Sequence, residues 1–138
     1  MKKKQRILVV DDEATSRMLL TIQLTRAGYQ VIVAGDGLEA LKWINTPGHT
    51  VDLILLDLMM PRLSGLDVLH FLHSRLGRPP VILMSAAERT IVRQGIVDAS
   101  PDAFLQKPFS NQRLLDQLQE LLPVSNPEMT AQLFQVAQ

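Results

Sequence analysis

Short apolar runs and amphipathic stretches alternate along the chain. Ile7-Leu8-Val9-Val10 is a continuous, β-branched-rich run, the pattern of a strand covered on both faces. From Ala14 to Ala27 the apolar residues Met18, Leu19, Ile22 and Leu24 recur at helical spacing, and Gly28 supplies a stop. Tyr29 to Ala34 reads as a second strand. Asp36 and Glu39 then stand as a capping box before Ala40, Leu41 and Ile44, and Pro47-Gly48 ends that helix. Leu53 to Leu56 is a third buried strand closing on Asp57. Ser64 and Asp67 form another capping pair, opening a helix with Leu66, Leu69, Phe71 and Leu72. Pro79-Pro80 breaks the chain before a fourth strand, Val81 to Met84, which ends at Ser85. A weaker helix is predicted over Glu88 to Ala99, with Ile91, Val92 and Ile96 apolar and Gly95 lowering its propensity. Ala103-Phe104-Leu105 is a short fifth strand. Ser110 caps a last helix carrying Leu114, Leu115, Leu118, Leu121 and Leu122.

Strict strand–helix alternation over five units predicts an α/β domain with a parallel sheet and helices on both faces. Residues 1–122 form that domain. Residues 123–138 read as a linker, Pro123 to Pro127, and a short amphipathic segment with Met129, Leu133 and Val136 on one stripe. A length of 138 residues, with 46% hydrophobic and 20% charged side chains, fits one globular unit. Fourteen basic residues balance fourteen acidic ones, which argues against binding nucleic acid or anionic membrane through bulk charge. The absence of cysteine excludes thiolate metal sites, disulfides and cysteine nucleophiles. No apolar run approaches the roughly 18 residues of a membrane span. The basic start Met1-Lys2-Lys3-Lys4-Gln5-Arg6 is followed by too short an apolar stretch for a signal peptide. A soluble, cytoplasmic chain is expected.

In an open parallel α/β sheet, ligands bind beyond the carboxyl ends of the strands. Asp11, Asp12 and Glu13 follow the first strand, Asp57 ends the third, Ser85 the fourth, and Lys107 lies just past the fifth. Two carboxylates about 4 Å apart repel by about 4 kcal/mol at an effective dielectric near 20, so such a cluster shifts its pKa values or recruits a cation. Oxygen ligands without histidine or cysteine favour Mg²⁺. A carboxylate beside that ion can attack phosphorus and form an aspartyl phosphate, with Lys107 offsetting the charge. Each residue taken alone has a plainer reading: helix N-terminus for Asp11-Asp12, turn for Asp57, helix cap for Ser85, surface charge for Lys107. Their combination, each at its own strand end, favours the chemical one.

The pieces Val9-Val10-Asp11-Asp12-Glu13, Leu55-Leu56-Asp57-Leu58-Met59-Met60-Pro61 with Gly65, Met84-Ser85-Ala86, Phe104 and Lys107-Pro108-Phe109 resemble the receiver domains of two-component response regulators over roughly residues 5 to 122. The resemblance implies a flavodoxin-like (βα)5 doubly wound parallel sheet of strand order 2-1-3-4-5. It implies that Asp57 accepts a phosphoryl group from a sensor histidine kinase or phosphotransfer protein. It also implies Mg²⁺ on Asp12, Asp57 and the Met59 backbone carbonyl, with Asp11 holding the ion through water. Lys107 would pair with the phosphoryl oxygens. Ser85 would draw its loop inward, and Phe104 would turn inward after it. That would reshape the face of the helix Glu88–Ala99, the fifth strand and the last helix, where a target, an output domain or a second copy would dock. The Lys107–Pro108 bond would be cis. Such a protein is a switch rather than an enzyme, catalysing only its own phosphorylation and slow dephosphorylation.

Three positions depart from the commonest pattern of that family: Met59 where many members are polar, Ala87 where some carry an acid, and Phe104 in place of tyrosine. Without a polar group at 59 or 87 to orient water, slow self-hydrolysis is expected. A phosphohydrolase of the haloacid-dehalogenase type fits less well, because its nucleophile follows the first strand with a second acid two residues on. A receiver acting as a binding module without phosphorylation would not need the full acid, hydroxyl and lysine set. His70 and His73 share a helix but have no third ligand near them in sequence, and His49 has no evident partner. Trp43 reads as a packing residue, and Asp52 as a turn residue.

Overall fold

The computed structural model describes residues 4–73, 75–87 and 100–122. The predicted helix Glu88–Ala99 and the stretch 123–138 lie outside the described residues. Five strands are seen: β1 Arg6–Val10, β2 Gln30–Ala34, β3 Leu53–Asp57, β4 Val81–Ser85 and β5 Ala103–Gln106. Among the described residues the helices are α1 Ala14–Arg26, α2 Gly37–Asn45, α3 Gly65–His73 and α4 Asn111–Leu121. All strand pairs are parallel and the sheet order is β2-β1-β3-β4-β5. This is the flavodoxin-like order expected from the sequence.

The continuous apolar runs follow from burial on both faces. Successive strand residues point to opposite sides. Ile7, Val9, Leu53, Leu55, Ile82 and Met84 therefore pack in one layer with Leu20 and Leu24 of α1 and Leu114 and Leu118 of α4. Leu8, Val10, Ile54, Leu56 and Leu83 pack in the other, with Ala40 of α2 and Val68, Leu69 and Leu72 of α3. A fully buried leucine such as Leu56 contributes about 1.5–3 kcal/mol, and truncation to alanine would cost about 2–5 kcal/mol.

The cap residues accept as read, although the return bond of Glu39 goes to the Gly35 N–H instead of that of Asp36. Asp36 Oδ1 accepts the Glu39 N–H at 2.8 Å, Ser64 Oγ accepts the Asp67 N–H at 3.3 Å, and Ser110 Oγ accepts the Arg113 N–H at 3.1 Å. The opposite end of the sheet has its own braces. Asp52 Oδ2 accepts the N–H of Arg6 at 2.7 Å, and Asp102 Oδ2 accepts the N–H of Val81 at 2.8 Å. Each aspartate stands just before one strand and secures the first N–H of the neighbouring one. Asp52, read from the sequence as a turn residue, is thus a strand brace.

Two helices orient differently from their apolar pattern. Of the four residues that mark α1, only Leu24 is in the core; Met18, Leu19 and Ile22 are 57%, 52% and 41% exposed. The inward stripe is Leu20 and Leu24, one turn apart, extended by the half-buried Arg17 and Thr21. On α3, Phe71 faces outward, its ring covered by the Arg75 guanidinium at 4.4 Å.

Candidate functional site

The chain passes from β1 to β2 on one side and returns from β2 to β3 on the other side of β1, so a crevice opens beyond the carboxyl ends of β1 and β3. The register fills it. Val10 pairs with Leu56, Asp57 with Met84, and Ser85 with Gln106. Asp11, Asp57, Ser85 and Lys107 are therefore brought to one edge.

One carboxylate oxygen from each of Asp11, Asp12 and Asp57 lies within 4.8 Å of the other two. Asp11 is fully buried, Asp57 is 6% exposed, and Asp12 faces solvent. Lys107 Nζ donates to Asp11 Oδ2 at 3.1 Å and sits 3.6 Å from Asp57 Oδ1. The other Asp11 oxygen, Oδ1, accepts the Glu13 N–H at 3.0 Å. Buried Ser85 accepts the Ala87 N–H on its Oγ at 3.0 Å, and its carbonyl accepts the Lys107 N–H at 2.7 Å. The Lys107–Pro108 bond is cis. Phe104 is half-buried against the α2–α3 layer. Among the described residues, no buried side-chain polar atom lacks a partner.

Burial pushes the Asp57 carboxyl up to about 6; Lys107 and the Met59 backbone oppose that shift, while Asp11 and Asp12 add to it. Burial works to lower the Lys107 pKa, but its bond to Asp11 and the charges of Asp57, Asp11 and Glu13 outweigh it, so the net shift is upward. The pocket therefore favours a cation shared by its acids. The donor set fits Mg²⁺. Octahedral ligands at 2.0–2.1 Å lie about 3 Å apart when adjacent and about 4 Å apart when opposite, within the spread of these three oxygens. Asp12 opens the cluster to water, and the ion retains several waters when bound.

Arg17, Leu20 and Gln23, not singled out from sequence, border the pocket. Arg17 Nη1 donates to the Asp11 carbonyl at 2.7 Å. A groove of about 470 Å³ leads off the pocket between α1 and the chain after β5, lined by Leu19, Leu20, Gln23, Pro108 and Phe109 together with Asp11 and Lys107. His70 and His73 are exposed on α3, apart from the acids. His49 packs edge-on against Trp43, centroids 5.1 Å apart.

Sheet order and pocket together define the class: a flavodoxin-like receiver with its acidic site at the topological switch point. Residues 7–119 match the response regulator receiver domain family, and the chain belongs to it. It is thus a receiver domain of the response regulators of two-component signalling. Response regulator MprA of Mycobacterium bovis is 39% identical over 127 residues, 92% of this chain and 54% of that protein. The chain spans about half the length of the curated relatives it matches. Response regulator TrrA of Thermotoga maritima, solved in complex with Mg²⁺-BeF, is 33% identical with a TM-score of 0.74, covering 86% of this chain and 99% of that one. The receiver domain of a Pseudomonas aeruginosa sensor histidine kinase, solved with a magnesium ion coordinated in its active-site cleft, is 26% identical with a TM-score of 0.77 over 88% of this chain and 100% of that one.

Proposed function

We propose that Asp57 accepts a phosphoryl group from a phosphohistidine on a kinase or phosphotransfer protein, and that the phosphorylated chain switches a downstream partner. The observation that carries this reading is the convergence of Asp11, Asp12, Asp57 and Lys107, from three strand ends, on one pocket. Asp12, Asp57 and the Met59 carbonyl would hold Mg²⁺ directly, with Asp11 acting through water; the ion would supply charge neutralisation for the transferring group. The bound magnesium in the Thermotoga and Pseudomonas relatives supports that assignment.

An Asp57 carboxylate oxygen attacks phosphorus, the new O–P bond forms, and the P–N bond to the donor imidazole breaks. Lys107 stays protonated through the transfer, held in place by Asp11, and pairs with the phosphoryl oxygens. The Ser85 hydroxyl, now accepting from the Ala87 N–H, turns its proton toward a phosphoryl oxygen and draws the loop after β4 inward. Phe104 follows, changing the face of β5 and α4. Turning a 1:99 population into 99:1 takes about 5.5 kcal/mol. A phosphoryl group, with close to two charges and three acceptor oxygens, is matched to that demand.

The donor has to cover the rim of the pocket to bring its imidazole to Asp57. Leu19 stands exposed there, lining the groove with Pro108 and Phe109, and Met18 and Ile22 are exposed on the same helix. We read this rim as the donor's landing surface, because an exposed apolar patch beside a reaction site marks an interface. Residues 1–122 act as the receiver, and 123–138 as a linker with a short amphipathic segment. Membership of the response regulator receiver family supports a cytoplasmic location. The output partner, a second domain or a second copy docks on the β5–α4 face.

The test is phosphotransfer from a panel of ³²P-labelled histidine kinases, with and without Mg²⁺. Wild type is expected to take up one hydroxylamine-sensitive phosphoryl group only with the ion present, and Asp57→Asn none. Labelling of Asp57→Asn, or none of wild type by any kinase or by acetyl phosphate, overturns the reading.

A further inference from the structure

We infer that Arg17 is a positioning residue of the acidic pocket: it clamps the peptide joining Asp11 to Asp12 and so aims the Asp12 carboxylate toward Asp57. This rests on the reading of the pocket as a Mg²⁺ site. Asp11 is held at every polar atom. Its N–H donates to the Ala34 carbonyl at 3.1 Å, its two carboxylate oxygens accept from Glu13 and Lys107, and its carbonyl accepts from Arg17 Nη1 at 2.7 Å. Asp12 is exposed, so its aim is set chiefly by the backbone that precedes it. Of the Asp11 contacts, the Arg17 bond alone acts on the peptide unit shared with Asp12.

The guanidinium is itself placed by its surroundings. A Cβ on Gly35 would lie 3.5 Å from Arg17 Nη1 and 3.8 Å from Cζ, so the Gly35 backbone lies alongside the guanidinium. Glu39 Oε2 anchors that backbone by accepting the Gly35 N–H at 2.9 Å. Arg17 thus sits between the loop after β1 and the loop after β2, and its planar fork fixes the direction of the bond to Asp11.

Two effects of Arg17 oppose each other. Its positive charge repels an incoming divalent cation, while its hydrogen bond orients a ligand of that cation. Asp12 faces water, whose high dielectric weakens that repulsion, whereas the bond acts at contact distance. Orientation therefore wins, and loss of Arg17 weakens metal binding. Partners that orient metal ligands typically contribute about 10–100-fold in affinity.

Mg²⁺ affinity measured by calorimetry on wild type, Arg17→Ala, Arg17→Gln and Arg17→Lys tests this, with thermal midpoints taken in chelator. Arg17→Ala is expected to bind Mg²⁺ about tenfold more weakly, with a midpoint in chelator that shows it folded. Arg17→Lys, whose ammonium can still reach the Asp11 carbonyl, should recover part of the affinity. Should Arg17→Ala fail to fold, Arg17→Gln, which keeps an aliphatic stem without the fork, is expected to show the same loss. Equal or tighter binding by the folded variants overturns the inference alone. Failure of wild type to bind Mg²⁺ overturns the reading of the pocket and this inference with it.

Discussion

A Cβ on Gly65 would lie 2.3 Å from the carbonyl oxygen of Asp57 and 2.8 Å from the Cα of Leu58. The start of α3 rests directly on the backbone that presents Asp57, and the Gly65 N–H donates to the Leu58 carbonyl at 3.0 Å. Backbone cannot swing aside as a side chain can. Gly65→Ala is therefore expected to lower stability by about 3 kcal/mol in urea unfolding. Gly35→Ala, whose Cβ would meet only ordinary contacts at 3.5 Å or more, should stay within about 1 kcal/mol of wild type. A mild Gly65→Ala would mean that the loop between Asp57 and α3 is looser than this contact requires.

The raised Asp57 pKa sets a pH dependence for the metal-free protein. Folded, the group holds its proton to about pH 6, against an ordinary carboxyl value of about 3.8. Between these values the folded chain binds a proton that the unfolded chain has released, so this group's contribution turns against folding as pH rises from about 4 to about 6. Asp57→Asn cannot ionise and escapes that loss. It should be more stable than wild type by on the order of 2 kcal/mol at pH 7.5, with the gain largely gone at pH 4. Mg²⁺ should narrow the difference at pH 7.5 by stabilising wild type alone, by about 2.7 kcal/mol at a hundred times Kd. Denaturant titrations at the two pH values, with chelator or Mg²⁺, check both statements. A larger gain at pH 4 would contradict them.

The strands were legible because a parallel sheet buried on both faces leaves unbroken apolar runs, and the site because such a sheet collects its chemistry at the carboxyl ends. Asp57, Ser85 and Lys107 could thus be brought together from sequence separations alone. The orientation of α1 was not legible. Its apolar residues outnumber the places the core offers, and Leu20 and Leu24 take them, leaving Met18, Leu19 and Ile22 outside. Asp52 and Asp102 gave no local signal for their bracing role, because the N–H groups they accept from lie 46 and 21 residues away. Arg17 was hidden for a related reason. Its partner is a carbonyl, which every residue carries.

The lifetime of the proposed acyl phosphate follows from two side chains. Met59 is 73% exposed, and Ala87 packs on the α2–α3 layer. Neither offers a polar atom to orient an attacking water, and positioning of that kind is a large part of such catalysis. The isolated phosphoprotein should decay slowly. Met59→Asn and Ala87→Glu should each shorten its half-life, by about tenfold, without changing the rate of labelling by the kinase. Loss of ³²P from purified protein measures this. A wild-type half-life of seconds, or no change in either variant, would contradict it.

Leu19 and Ile22 separate donor recognition from chemistry. Both are about half exposed on α1, and Leu19 also lines the groove beside Lys107. A charge at either place meets solvent in the free protein, so Leu19→Glu and Ile22→Glu should change stability by no more than about 0.5 kcal/mol. Against a protein donor, the same charge would be buried in an apolar contact without a partner, which costs about 2 kcal/mol or more. Phosphotransfer from the cognate kinase should therefore fall by at least about tenfold in each variant, while labelling by acetyl phosphate, which needs no landing surface, stays at the wild-type rate. Parallel losses with both donors would place the damage in the pocket, and unchanged transfer from the kinase would remove α1 from the docking surface.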